Sequence, residues 1–200
     1  MDGQKLAKSL VKKCDVVVEN FRAGNLKQYG LDYNSLKKIK PDLIYCSITG
    51  FGQNGPYSHR GGYDYLVQAM GGIMSITGSS KDSFSRVGTS IGDIAAGLFC
   101  TIGIISALYD RQSSKFGTKI DISMLDCQIA ILENAIARYS VSNKNPMPLG
   151  TDHPSISPFG AFNTLDEKIV LAAGNNKIFK KLCFLLSRKD LHRNELFNDN

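Results

Sequence analysis

The residues best suited to chemistry form one short stretch, Ser90-Ile91-Gly92-Asp93-Ile94-Ala95-Ala96-Gly97, in which a single carboxylate stands between glycines. An apolar run follows at once: Leu98, Phe99, Cys100, Ile102, Ile104, Ile105, Ala107 and Leu108. Two readings fit. Aspartate is a favoured N-cap residue, because its side chain accepts an orphan amide of the first helical turn, so Asp93 reads as the first residue of a buried helix. Alternatively, Asp93 is a nucleophile. The positive end of the helix dipole would keep it ionised, Gly92 would let a substrate approach closely, and a bare carboxylate can attack an activated acyl carbon to form a covalent intermediate. The motif alone leaves both readings open.

A second stretch is Thr49-Gly50-Phe51-Gly52-Gln53-Asn54-Gly55-Pro56-Tyr57. Gly50, Gly52 and Pro56 predict a tight irregular loop after an apolar strand. The carboxyl end of a strand is where open α/β sheets bind ligands; the plainer alternative is a crossover loop.

The surrounding pattern predicts the elements that hold these stretches. Leu6, Leu10 and Val11 share a helical face, and Asp15 to Glu19 is a β-branched run of the kind buried on both faces in parallel sheets. Short helices are expected over 25–29 and 33–39, the second stopped by Pro41, and a second strand over 42–48. Tyr63-Asp64-Tyr65 opens a helix ending at Gly71-Gly72; 78–88 reads as a polar loop; the Asp93 helix runs to Asp110. A strand over 118–123 and one long helix over 124–139 follow, the latter with Leu125, Ile129, Leu132 and Ile136 on a core or dimer stripe. Residues 141–158 hold four of the six prolines and read as a linker or an active-site loop, before a hairpin around 165–168 and a helix over 177–186. Alternating helices and strands predict an α/β fold: an incomplete doubly wound, Rossmann-like sheet over 1–140, leading into the start of a smaller α+β domain over 141–200. No opening strand and Gly-rich turn precede the first helix, and 191–200 forms no clear finish, so further strands are expected outside these 200 residues.

Composition narrows the function classes. Apolar residues make up 42% and charged residues 21%, ordinary for a globular chain. The net charge of +6 suits anionic small molecules, but no Lys/Arg run is long enough for a nucleic-acid patch. The five cysteines are widely spaced with no CxxC pair, and read as buried thiols of a reducing compartment. His59, His153 and His192 lack metal-ligand spacing, so no metal is expected. No apolar run is judged long enough to span a membrane, and no signal peptide opens the chain.

Taken in order, several stretches resemble the class III (family III, CaiB/BaiF type) coenzyme A transferases. They are Val16 to Arg22, Ser47 to Tyr57, Gly62-Tyr63-Asp64, Gly92 to Gly97, Asp121 to Asp126 and His153 to Phe162. Each motif is weak alone; the ordered set is specific and covers nearly the whole chain. Ile44 to Gly50 and Ala172 to Asn176 look most like the succinate–hydroxymethylglutarate CoA-transferase branch.

The resemblance implies that Asp93 is the nucleophile of a CoA-transferase that moves CoA to a carboxylic acid, a dicarboxylate such as succinate or a glutarate, through an aspartyl-CoA thioester. It implies CoA contacts from Asn20, Phe21 and Tyr63, and a loop at Gly50, Gly52 and Gly92 that presents backbone N–H groups. The CoA thioester is then substrate, with no tightly bound cofactor. An interlocked homodimer is implied at full length; the composition predicts no nucleic-acid or membrane partner, and the compartment, mitochondrial matrix or cytoplasm, stays open. Ala23 stands where the family usually has proline, and the family's early CoA-diphosphate arginine, its mobile glycine run and its C-terminal return are not matched. Two alternatives stay open: an acyl-CoA racemase of the same fold, which would use an acid–base pair, and an inactive truncated relative.

Overall fold

The structure is a computed structural model and describes residues 2–197. Residues 198–200, the end of the polar C-terminal stretch, lie outside the described residues. In chain order the elements are α1 (Asp2–Val11), β1 (Val16–Glu19), a 3-10 turn (Asn25–Tyr29), α2 (Tyr33–Leu36), β2 (Ile44–Thr49), α3 (Asp64–Met70), α4 (Ile73–Ile76), β3 (Gly78–Ser80), β4 (Ser83–Phe84), α5 (Ile91–Ser114), β5 (Lys119–Ser123), α6 (Met124–Ala130), α7 (Glu133–Ser142), β6 (Phe159–Asn163), β7 (Lys168–Ala172) and α8 (Asn176–Leu185), then two short 3-10 turns. The chain is mixed α/β and divides into two compact units, Met1–Ser75 with Ser85–Pro146, and Ile76–Phe84 with Met147–Asn200.

The first unit is built on a parallel sheet of order β1-β2-β5. Val16 to Glu19 pair with Ile44 to Ser47, and Tyr45 to Thr49 with Lys119 to Ser123. Alternation along β2 sends neighbours to opposite faces. Tyr45 joins Val11, Leu36 and Leu43 in one apolar cluster. Cys46 joins Val67, Ala95, Ala96, Cys100, Ile122, Met124 and Cys127 in the other. Helices thus cover both faces, which explains why β2 is an almost unbroken buried run. β1 departs from the expectation of burial on both sides: it lies at the edge of these three strands, and Val18 is exposed.

Helix α5 begins earlier than the carboxylate motif suggested. Ser90 is its N-cap, without a side-chain capping bond, and Asp93 is the third helical residue. At 24 residues α5 is also long and apolar enough to cross a bilayer by length and composition, which corrects the expectation that no run reaches that length. Here it lays Ala95, Ala96 and Cys100 on the sheet. Its far end is tied down: Arg111 donates to Asp15 Oδ1 at 2.8 Å and to the Asp42 carbonyl at 2.9 Å.

Two expected elements differ. The single helix over 124–139 is two, broken at Ile131-Leu132. No glycine or proline marks that break. The α3–α4 turn packs against it instead, since a Cβ on Gly71 would meet Gln128 Cγ at 2.4 Å and one on Gly72 would meet Leu132 Cδ1 at 3.6 Å. The polar stretch 78–88 contains the small β3–β4 hairpin rather than loop alone.

The second unit holds the antiparallel β6–β7 hairpin, paired from Phe159↔Ala172 to Asn163↔Lys168. α8 follows, capped by Asn175, whose Oδ1 accepts the Ile178 N–H at 3.0 Å. Four of the five cysteines are buried free thiols; Cys14 is exposed.

Candidate active site

In the first unit, a cleft of about 470 Å³ opens where the carboxyl ends of β1, β2 and β5 meet the first turn of α5. This is the side of a parallel sheet on which turns and helix starts leave backbone groups free for a ligand. Asn20, Phe21, Gly50, Tyr63 and Asp93, distant in sequence, all line it. A second cavity, of about 460 Å³, lies in the other unit among residues such as Pro158, Asn175, Phe179 and Leu191; among the described residues no ionisable side chain lines it.

Each wall follows from local structure. Asn20 ends β1, and its Nδ2 donates to the Ile48 carbonyl at 2.7 Å, tying the β1 and β2 ends together. The next amide, Phe21 N–H, donates to Glu19 Oε2 at 2.9 Å, and the Phe21 ring is exposed. Tyr63 is the extended N-cap residue of α3 and is 86% exposed, so its ring is free to meet a ligand. The loop before it passes directly over Gly50: a Cβ on Gly50 would stand 2.6 Å from Gly62 Cα. The Gly50 carbonyl accepts the Leu125 N–H at 3.1 Å, linking the loop to α6. Arg60 stacks on Tyr57 at 4.6 Å, and Tyr57 meets the buried Phe51 edge-on at 5.6 Å. Arg22 and Arg60 both line the cleft, and the Arg22 guanidinium lies beside Gly61. Two cations at the mouth of a cleft suit a polyanionic ligand. Thr49 Oγ1 is buried with no partner among the described residues.

Asp93 is exposed, and no hydrogen bond engages its side chain among the described residues. It is neither a cap nor sealed in hydrocarbon. The helix dipole was expected to hold it ionised, yet partial burial, and then the Asp64 carboxylate, push its carboxyl above the ordinary value of 3.8. A more basic carboxylate that still ionises is the stronger nucleophile.

Gly52 and Gly92 do not line the cleft. Gly52 turns the loop with φ of 79°, next to Asp121, whose carboxylate accepts the Gln53 N–H at 2.9 Å. Gly92 is buried against α3: a Cβ there would meet Val67 Cγ2 at 2.7 Å. Its bareness makes room for packing, not for substrate, which corrects the expectation of close approach at that residue.

Sequence reasoning passed over Asp64 and Gln68. Asp64 is buried; its Oδ1 accepts the Gly92 N–H at 2.8 Å and its Oδ2 accepts Gln68 Nε2 at 2.8 Å. The available signal was an Asp and a Gln four residues apart in a helix opening after the Gly-rich loop. Arg22 and Arg60 were also passed over, because single arginines in loops look like solvated surface.

A family model described as CoA-transferase family III matches residues 1–200. A succinate–glutarate CoA-transferase of Agrobacterium fabrum is 45% identical over 185 residues, 92% of this chain and 46% of that protein. An acetyl-CoA:oxalate CoA-transferase of Acetobacter aceti is 42% identical over 192 residues, 96% of this chain and 49% of that protein. A human succinyl-CoA:glutarate CoA-transferase is 40% identical over 198 residues, 99% and 45% respectively. Among solved structures, a CaiB/BaiF family protein from Brucella suis superposes with a TM-score of 0.87 at 44% identity, covering 100% of this chain and 53% of that one. The chain spans about half the length of the relatives it matches.

Proposed function

The chain belongs to CoA-transferase family III, and from that premise we propose that it forms the nucleophile-bearing part of an enzyme moving CoA from an acyl-CoA to a dicarboxylate, of the succinate or glutarate kind. The observation that carries the reading is Asp93: a carboxylate without a hydrogen-bond partner among the described residues, open to a 470 Å³ cleft at the strand ends, with two guanidiniums along its walls. The relatives' names support the substrate class.

The chemistry follows from an unengaged carboxylate. Asp93 Oδ attacks the thioester carbonyl; the C–S bond breaks and gives an aspartyl–acyl anhydride plus CoA thiolate. The thiolate attacks the aspartyl carbonyl, releases the donor carboxylate and leaves an aspartyl-CoA thioester. The acceptor carboxylate attacks that carbonyl and expels the thiolate. The thiolate then takes the acceptor's acyl carbon, and Asp93 is released as a carboxylate. Protons balance without an external acid or base. Asn20, Phe21 and Tyr63 are read as the grip on the pantetheine arm, and Arg22 and Arg60 suit the CoA phosphates. Gly50 and Gly52 shape the loop above the site.

Helices on both faces of the parallel sheet support reading it as part of a doubly wound, Rossmann-like sheet, in a large domain read over 1–140 apart from 76–84, which group with 147–200, and a small domain that starts over 141–200. Ile94, Leu98, Ile102, Ile105 and Tyr109 expose an apolar stripe on α5. That stripe supports a helix covered by a second copy in an interlocked homodimer rather than by lipid. The buried free thiols suit a reducing compartment, matrix or cytoplasm.

The test is trapping on the protein at its natural length. With succinyl-CoA, peptide mass spectrometry is expected to find CoA on Asp93, and hydroxylamine to convert it to the hydroxamate. An Asp93→Ala variant that still transfers CoA overturns the reading.

A further inference from the structure

The first amides of a helix have no acceptor within it. In α5 the Ile91 N–H reaches back to the Thr89 carbonyl at 2.9 Å. The Asp93 N–H has no acceptor among the described residues. The Gly92 N–H is different: its acceptor, Asp64 Oδ1 at 2.8 Å, comes from another helix. Gly92 cannot shift to find another, because it is buried with Val67 against its Cα.

Asp64 is itself braced. Gln68, fully buried one turn later on α3, donates Nε2 to Asp64 Oδ2 at 2.8 Å and to the Thr89 carbonyl at 3.3 Å. Its Oε1 accepts the Val87 N–H at 2.9 Å. The segment leading into α5 is therefore stitched to α3 at Val87, Thr89 and Gly92, and each stitch runs through this pair.

We propose that Asp64 is the positioning residue for Asp93: its bond to the Gly92 N–H, braced by Gln68, fixes the turn from which the Asp93 carboxyl enters the cleft. This rests on Asp93 being the nucleophile. The same carboxylate sits close enough for its charge to raise the basicity of Asp93, adding to the effect of burial. Among the described residues, the other ionisable groups lining that cleft are Arg22, Arg60 and Tyr63, and α6 contributes Met124.

Two measurements on the natural-length protein test this. In native-state hydrogen exchange of the unaltered protein, the Gly92 amide is expected to be protected about tenfold or more beyond the Asp93 amide, its neighbour in the same acceptor-poor turn. Equal rates overturn the proposal whether or not any variant folds. In carbon-13 carboxyl NMR, Asp64→Asn keeps a carbonyl to accept the Gly92 N–H but removes the charge. The titration midpoint of Asp93 is expected to fall. An unmoved midpoint in folded Asp64→Asn means that Asp64 does not act on Asp93, and the proposal fails. If both readouts behave as expected while Asp93 never acquires CoA, the transferase reading falls and the positioning by Asp64 stands.

Discussion

Gly50 and Gly62 touch backbone to backbone: a Cβ on the first would meet the Cα of the second at 2.6 Å, and the reverse contact would be 2.8 Å. No side chain fits on either partner without parting the strand end from the loop over it. Gly62→Ala is therefore expected to cost about 1–3 kcal/mol, read from the denaturation midpoint, with Gly50→Ala similar. Because both open the same crossing, the double variant is expected to lose less than the sum.

Asp93 links stability to pH in the opposite sense from a salt-bridged aspartate. Its folded pKa lies above 3.8 because of burial and Asp64, so ionising it takes stability away as pH rises through that folded value, and the loss vanishes below the unfolded value. Asp93→Asn is thus expected to melt no lower than the parent near pH ~7, with any advantage gone near pH ~3. Transfer activity is expected to fall about 1,000-fold or more. The acid limb of the parent's rate profile should be displaced upward from the ordinary aspartate value. Scanning calorimetry across pH, beside the rate assay, checks both parts.

Asn20→Ala removes the 2.7 Å bond from Nδ2 to the Ile48 carbonyl. A stability loss of about 1 kcal/mol is expected, with weaker acyl-CoA binding as the β1 end loosens from β2. Calorimetric titration beside a thermal melt reads the two effects separately. Unchanged affinity would remove Asn20 from the CoA grip.

Arg22→Gln with Arg60→Gln takes both guanidiniums from the cleft. KM for an acyl-CoA is expected to rise about tenfold or more, and that for an acyl-pantetheine, which lacks the phosphates, less than about twofold. Equal effects on both substrates would mean that the arginines hold the loop rather than the phosphates.

Local pattern exposed much of the fold and little of the support beneath the site. β2 could be read because Ile44 to Thr49 is buried on both faces and so carries no polar alternation. The β6–β7 hairpin could be read because a short polar turn separates two apolar runs. Asp93 stood out between glycines. Asp64 did not, because its meaning lies in an amide 28 residues away, which no local pattern encodes. Gly92 was misjudged for the same reason: bareness looks identical in sequence whether it serves a ligand or Val67. The α6–α7 break was hidden too, since close packing by Gly71 and Gly72 from another segment accompanies it.

Helix α5 is moored at each tip, by Asp64 at Gly92 and by Asp15 and the Asp42 carbonyl at Arg111. Both ends of the helix are therefore held by groups from other elements of the same unit. The Asp93 carboxyl and the Arg111 mooring lie about 27 Å apart along that rod, so Asp15, exposed just before β1, helps to anchor the helix whose other end carries Asp93.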